Sequence, residues 1–144
     1  MAYCTIEDIR KVLPETDLVQ LTDDEGAGTI HPQRLEEAIA QADADIDSYL
    51  SGKYAVPLTP VPAVLKKLSA DIAVYNLYSR RLEQIPETRA ERYRNAVRML
   101  EGIARGTISV GAAAPPQPAA DAGGPEATRS ADERVFTKTT LEGF

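Results

Sequence analysis

The sequence predicts an all-α protein, a small helical bundle of about four main helices with a long extended C-terminal arm. Long segments carry apolar residues at alternating spacings of three and four, which is the period of an amphipathic helix. Prolines and glycines separate these segments, and the composition changes to Ala, Pro and Gly after the last of them. We therefore divide the chain into a helical domain over residues 1–110, a Pro/Ala/Gly-rich linker over 111–131 and a C-terminal docking tail over 132–144.

The N-terminal region predicts one or two short helices. Thr5 stands before Glu7 and Asp8, so its hydroxyl can cap a first turn whose acids favour the positive helix end. This pattern predicts a helix over residues 5–12. Pro14 should interrupt it, and Thr16 is predicted to cap a second short helix. The segment TDDEGAGTIHP that follows has the composition of a loop.

Residues 32–51 predict an amphipathic helix with one apolar and one acidic face. Its apolar stripe consists of Leu35, Ile39, Ala42, Ile46 and Tyr49. Five acids lie largely off this stripe, and Asp43 and Asp47 among them are predicted to belong to the exposed face. We expect Gly52 to end the helix in a left-handed conformation.

The stretch YLSGKYAVPLTPVP, residues 49–62, predicts a rigid joint between two helices. Pro57 disfavours helical geometry at the residue before it, so this part of the joint should be extended. Tyr54, Val56 and Leu58 are expected to anchor the joint to the core. Pro62 lies where a new helix tolerates proline.

Two further helices are predicted, over residues 61–81 and 87–105. Apolar residues cover more than half the circumference of the first, which predicts a central helix packed on two sides. The second has a predicted apolar stripe of Tyr93, Val97, Leu100 and Ala104. Its remaining surface is basic and contains Arg89, Arg92, Arg94, Arg98 and Arg105.

The C-terminal part combines a linker with an apolar end. The segment AAAPPQPAADAGGPEATRSADE has no large apolar residue and cannot bury a core. The ending RVFTKTTLEGF restores large apolar side chains, which need a surface to bind. That surface belongs either to the same chain or to another chain, and the tether length favours the second. The predicted partner-binding residues are Arg134, Val135, Phe136, Leu141 and Phe144.

The net charge of −6 is unevenly distributed. Residues 1–50 carry twelve acidic and three basic side chains, whereas residues 51–106 carry five acidic and ten basic ones. Opposite faces of this kind can associate between copies, or they can be ordinary solvated helix faces. The predicted inter-subunit charge faces contain Asp43 and Asp47 on one side and Arg89, Arg92 and Arg98 on the other.

The sequence contains no motif typical of an enzyme. It has no glycine-rich phosphate loop, nucleophile elbow or dinucleotide fingerprint. One cysteine, Cys4, and one histidine, His31, exclude an internal disulfide and a Cys/His zinc cluster. We expect no catalytic activity, no cofactor and no metal. The N-terminus lacks signal-peptide features, and no apolar run is long enough for a membrane span.

Five segments together carry a resemblance to a known family. Along the chain they are the start MAYCTIEDI, the GAGTI loop, IDSYLSGKYAVPLTPVPAVLKKLSADIAVYNLY around the joint, the segment GTISVG, and the ending RVFTKTTLEGF. In this order they resemble the head-tail connector proteins of tailed bacteriophages, also called neck or head-completion proteins, and more narrowly the Mu-like branch. The resemblance covers nearly the whole chain, with the linker as its variable part.

The resemblance implies a helical adaptor in the virion neck, made in the cytoplasm of the bacterial host. It implies a homo-oligomeric ring, commonly a dodecamer, beneath the portal protein. Such a ring extends the channel for double-stranded DNA without reading its sequence, and it binds the next neck or tail-completion protein. Connectors often present acidic surfaces to the DNA, so Asp23, Asp24 and Glu25 are candidates for the channel lining. A solvent-exposed loop on the rim is the alternative for these three residues.

A second function remains open from the sequence. The arginine-rich last helix could contact phosphates, as in a small DNA-binding or packaging-regulatory protein. The acidic chain, with a pI near 4.8, argues against free sequence-reading.

Overall fold

A computed structural model describes residues 1–81 and 84–111, which form five α-helices and no β-strand. The helices are α1 (Ile6–Val12), α2 (Glu15–Thr22), α3 (Pro32–Leu50), α4 (Ala63–Arg81) and α5 (Glu87–Arg105). The prediction of an all-α protein is confirmed. The predicted tail and nearly all of the predicted linker lie outside the described residues.

Helix α4 is the centre of the bundle. It contacts all four other helices, as α3 also does, and it buries more residues than α3. Ten of its residues are buried, including Leu68, Ile72 and Leu77. Burial on several sides is what a wide apolar surface requires, because apolar area removed from water stabilises the fold. The prediction of a central helix is therefore confirmed.

The helix ends follow local chemistry, with two differences from the predictions. Thr5 caps α1 by accepting from the backbone N–H of Asp8, whose carboxylate accepts in return from the backbone N–H of Thr5. Thr16, however, is not a cap, because α2 begins at Glu15 directly after Pro14. Gly52 also does not adopt a left-handed conformation. The backbone N–H groups of residues 53 and 54 both donate to the carbonyl of Leu50, so a tightened turn ends α3.

The joint between α3 and α4 is anchored as predicted. Tyr54 and Leu58 are buried and Val56 is half-buried. The peptide bonds before Pro57 and Pro60 are cis. The carbonyl of Pro62 accepts from the N–H groups of the first turn of α4, so this proline ends the joint where the helix begins.

The apolar face of α5 is rotated relative to the prediction. Its buried residues are Ala96, Leu100, Gly102 and Ile103, whereas Tyr93 and Val97 are only half-buried. Tyr93 stacks on Tyr75 of α4, with 4.0 Å between the ring centroids. Stacking covers part of each ring with the other, and both side chains remain half-buried. They therefore lie at the edge of the interface between α4 and α5.

Candidate assembly surfaces

Tyr3 fastens the N-terminal segment to two other parts of the chain. Its backbone N–H donates to the Asp43 carboxylate at 3.1 Å, and its hydroxyl donates to Asp47. The same hydroxyl accepts from the backbone N–H of Leu58 at 3.2 Å. The segment before α1 therefore holds α3 and the joint in one arrangement, because each bond joins groups far apart in sequence.

A second contact links the same region to α4. The Ser69 hydroxyl donates to Asp43 at 2.7 Å and lies 3.1 Å from the Cys4 sulfur. All three side chains are buried, so each polar group needs a partner inside the protein. Asp43 thus accepts hydrogen bonds from both the N-terminal segment and α4.

Burial changes the acidity of this cluster. Burial, reinforced by the hydrogen bond to Asp47, raises the pKa of Tyr3 to about 12. Burial also raises the pKa of Cys4 to about 11, so its thiol stays protonated at neutral pH. The pKa of the Asp43 carboxyl is raised by burial as well, although the bonds from Ser69 and Tyr3 oppose the shift. The observed burial of Cys4 agrees with a structural thiol.

The prediction that Asp43 lies on an exposed acidic face is wrong. Its relative exposure is 9 %, and both of its oxygens accept hydrogen bonds from within the chain. Asp47 is half-exposed and is held by Tyr3. The physical reason is that the N-terminal segment packs over the side of α3 and donates a hydrogen bond to the Asp43 carboxylate. The periodicity of the α3 sequence does not show where that segment lies. The exposed acids of α3 are Glu36, Glu37 and Asp45.

Asp24 is the centre of an ionic cluster. Its carboxylate lies 2.8 Å from guanidinium nitrogens of Arg34, Arg80 and Arg81. The hydrogen bond from Arg80 is the main cause that lowers the pKa of Asp24 to about 2. These contacts tie the loop after α2 to the start of α3 and the end of α4. A carboxylate shared by three arginines offers little net negative charge to an outside partner.

Asp23 organises the same loop from within. Its carboxylate accepts from the backbone N–H groups of residues 25 to 28, and these bonds lower its pKa. Glu25 is exposed. Asp23 and Asp24 therefore have structural contacts that the composition of the loop did not indicate. The prediction that these residues line a DNA channel stays a prediction.

The arginines of α5 differ in their contacts. Arg92 lies 3.6 Å from buried Asp71 of α4, and Arg89 donates to the carbonyl of Val12 at 3.3 Å. These two therefore support contacts between helices of the same chain. Arg98 is exposed and lies in no ion pair within residues 1–81 and 84–111. The predicted inter-subunit role of these arginines stays a prediction.

An open groove of about 590 Å³ lies between the N-terminal segment and α3. Ala2 and Ile6 line one side, and Ile39, Ala40 and Ala44 line the other. Its acidic lining residues are Glu36, Asp43 and Asp47, and no Lys or Arg lines it. We call this feature the N-terminal groove.

Within the part of the chain that the structure describes, no helix is both long and apolar enough to cross a membrane. The same residues contain no group of three or more His, Cys, Asp or Glu side chains that could hold a metal ion. His31 is exposed at the N-cap position of α3, without a side-chain capping bond.

Comparison with known proteins decides the family. Residues 3–128 match the family described as "Bacteriophage Mu, Gp36". The chain belongs to this Mu Gp36 family. It is 36 % identical over 113 residues to "Gene product J" of Escherichia phage Mu, an alignment that covers 77 % of each protein. It is also 38 % identical over 85 residues to "Mu-like prophage FluMu protein gp36" of Haemophilus influenzae, covering 59 % of this chain and 58 % of that protein.

Membership in the Mu Gp36 family confirms the resemblance to Mu-like phage proteins. It supports a role in phage structure or morphogenesis. Tyr3 could not be identified from the sequence, because its hydrogen-bond partners lie 40 to 55 positions away.

Proposed function

We propose that this Mu Gp36 protein is a structural component of the virion neck. It forms an oligomeric ring beneath the portal, joins the DNA-filled head to the tail and extends the DNA channel. It binds the portal protein on one side and the next neck or tail-completion protein on the other. The protein acts by assembly and needs no catalytic step or cofactor.

The observation that carries this proposal is the presence of exposed charges of both signs that have no ion-pair partner among the described residues. Glu36, Glu37 and Asp45 are exposed on α3, and none of them lies within ion-pair distance of a described Lys or Arg. Arg98 is exposed on α5. Unpaired charges of opposite sign can attract each other between copies, and head-to-tail contacts of this kind close into rings when the rotation permits.

The direct test has one biochemical and one genetic arm. Negative-stain electron microscopy and light scattering of the purified full chain should show rings of uniform size. Deletion of the gene should give DNA-filled heads that do not join tails. Normal virions from the deletion strain would rule out the neck role.

Removal of residues 135–144 tests the proposed docking tail. We expect the truncated chain to keep its helical circular dichroism and thermal transition, because the described core is built by residues before 112. Ring formation should be reduced. A truncated chain that unfolds at moderate temperature would instead place the tail in the core of its own chain.

The DNA-binding alternative receives less support from the contacts of α5. Arg92, Arg94 and Arg105 pair with acids of the same chain, which leaves fewer free cations for phosphates. A salt-dependent mobility shift of DNA that is abolished by Arg98→Ala would favour this alternative, since phosphate contacts weaken as salt rises.

A further inference from the structure

Three half-buried tyrosines and one acid form a patch where α3, α4 and α5 meet. Tyr75 of α4 and Tyr93 of α5 stack with 4.0 Å between their ring centroids. Burial is the main cause that raises the pKa of Tyr93, and the charge of Asp45 and the rings of Tyr75 and Tyr49 raise it further, so both α3 residues lie near the stack. Asp45 and Tyr49 are also neighbours on α3, because residues four positions apart share one helix face. We call these four residues the tyrosine patch.

The tyrosine patch carries a negative charge that has no partner. Asp45 is exposed and forms no ion pair within residues 1–81 and 84–111. The residues three and four positions from it on α3 are all uncharged: Gln41, Ala42, Ser48 and Tyr49. Among the described residues, the cation that lies over an aromatic ring is Lys53, and its ring is Tyr54, outside the patch. An arginine would satisfy the patch, since a guanidinium can stack on a ring and donate to a carboxylate.

Arg98 is the exposed arginine whose charge is not compensated. Every other exposed Lys or Arg in the part of the chain that the structure describes forms an ion pair, whereas Arg98 forms none. The charged residues one turn away on α5 are already paired, because Arg94 binds Glu87 and Glu101 binds Arg105. These neighbours therefore leave the positive charge of Arg98 available to a partner.

Arg98 lies on the side of α5 that faces away from the patch. It follows Tyr93 by five positions, which places it about 140° around the helix from Tyr93. It also lies about 160° around the helix from Leu100, which is buried, so Arg98 is on the outer face of α5. Two positions on opposite sides of one helix do not meet within a single copy. A contact between Arg98 and the tyrosine patch would therefore join two copies through two different surfaces, which makes it heterologous.

We propose that Arg98 of one copy binds the tyrosine patch of a neighbouring copy. This inference rests on the proposed ring and deepens it by naming one inter-subunit contact. The guanidinium of Arg98 stacks on a ring of the patch and donates to the Asp45 carboxylate. Each copy offers one patch and one Arg98, so the contact repeats in one direction around the ring. It pairs two charges that have no partner within one copy.

Two charge reversals in the full chain test this contact. Arg98→Glu keeps the patch and brings a negative charge to Asp45, and Asp45→Lys keeps Arg98 and brings a positive charge to it. Each variant alone should associate at least about tenfold more weakly than the unmodified chain, because like charges meet at every contact. An equimolar mixture should recover association to within about twofold, because alternating copies meet with opposite charges at every contact. Sedimentation velocity measures association, and native mass spectrometry counts each variant in the mixed assemblies.

The matched control uses two charge reversals elsewhere on the surface. Lys11→Glu and Glu15→Lys change exposed residues of α1 and α2 by the same amounts of charge. Each control variant, and their mixture, should associate like the unmodified chain. Thermal unfolding followed by circular dichroism shows that every variant is folded before its association is compared.

Unchanged association of either test variant, or no recovery in the mixture, would overturn the contact. Weakening by Asp45→Lys without weakening by Arg98→Glu would show that another cation binds the patch, which also overturns the contact. If the unmodified chain forms rings in these cases, the neck role stands. Dimers or open chains that obey the recovery test without closing would support the contact and refute the ring. An unmodified chain that stays monomeric would refute both.

Discussion

Removal of the Tyr3 hydroxyl should destabilise the protein far more than its position near the chain end suggests. Tyr3→Phe removes the donor to Asp47 and leaves the N–H of Leu58 without its acceptor. A hydrogen bond to a charged group contributes about 1.5–3 kcal/mol, and an unsatisfied buried donor costs about 1–3 kcal/mol. The two values do not add in full, because water can reach the half-exposed Asp47 and replace part of its lost hydrogen bond. We expect a loss of about 3 kcal/mol, from a typical total of about 5–15 kcal/mol.

Urea unfolding of the full chain, followed by far-UV circular dichroism, measures this loss. Tyr49→Phe is the matched control, because the half-buried Tyr49 makes no hydroxyl hydrogen bond to another described residue. Its unfolding free energy should change by less than about 0.5 kcal/mol. If Tyr3→Phe behaved like this control, the bonds of Tyr3 would not hold the N-terminal segment, α3 and the joint together.

Three further predictions concern other sites. Asp24→Asn should lower the free energy of unfolding at neutral pH and make that free energy less dependent on pH in acid. The folded-state pKa of Asp24 is about 2, below its ordinary 3.8. The contribution of Asp24 to stability is therefore present above about pH 4 and is lost as the pH falls towards 2. Unfolding curves across this pH range test it, and a parallel shift at every pH would contradict it. Gly106→Ala should lower the free energy of unfolding by about 1 kcal/mol, because Gly106 has a φ of +83°. Gly52→Ala should leave it nearly unchanged, because Gly52 lacks a positive φ and an added Cβ would meet no atom within 4 Å. Equal thermal shifts for the two would refute the role of backbone conformation. The Cys4 thiol should react with a disulfide reagent at pH 8 only after denaturation, since burial raises its pKa to about 11; rapid reaction of the native protein would show that the site opens.

The long helices could be predicted because their signals are local and repeated. Helix α5 has the predicted bounds, and α4 begins only two residues later than predicted. Apolar spacing, proline and Gly106 act within a few residues of the element they define, so a single sequence contains the information. The rotation of the α5 face was missed because the stacking of Tyr93 on Tyr75 depends on a partner helix.

The candidate surfaces were less predictable because they depend on distant partners. Asp43 and Asp45 are residues of the same type, two positions apart on α3. Asp43 is buried beside Tyr3, whereas Asp45 is exposed. Asp24 likewise has the appearance of a loop acid, and its three arginines come from two different helices. No periodicity encodes such pairings, which arise only when the tertiary fold brings the charges together. Residues 134–144 carry predictions that lie outside the described residues.

The bond between Tyr3 and Leu58 has a consequence for the order in which the chain folds during synthesis. Tyr3 is made before both residues that its hydroxyl contacts, because Asp47 follows it by 44 positions and Leu58 by 55. Ser69, which completes the adjoining cluster, is made later still. Local helices can form early, but the start of the chain must wait for these partners. The set of contacts that holds the N-terminal segment is therefore complete only after Ser69 of the central helix has been made.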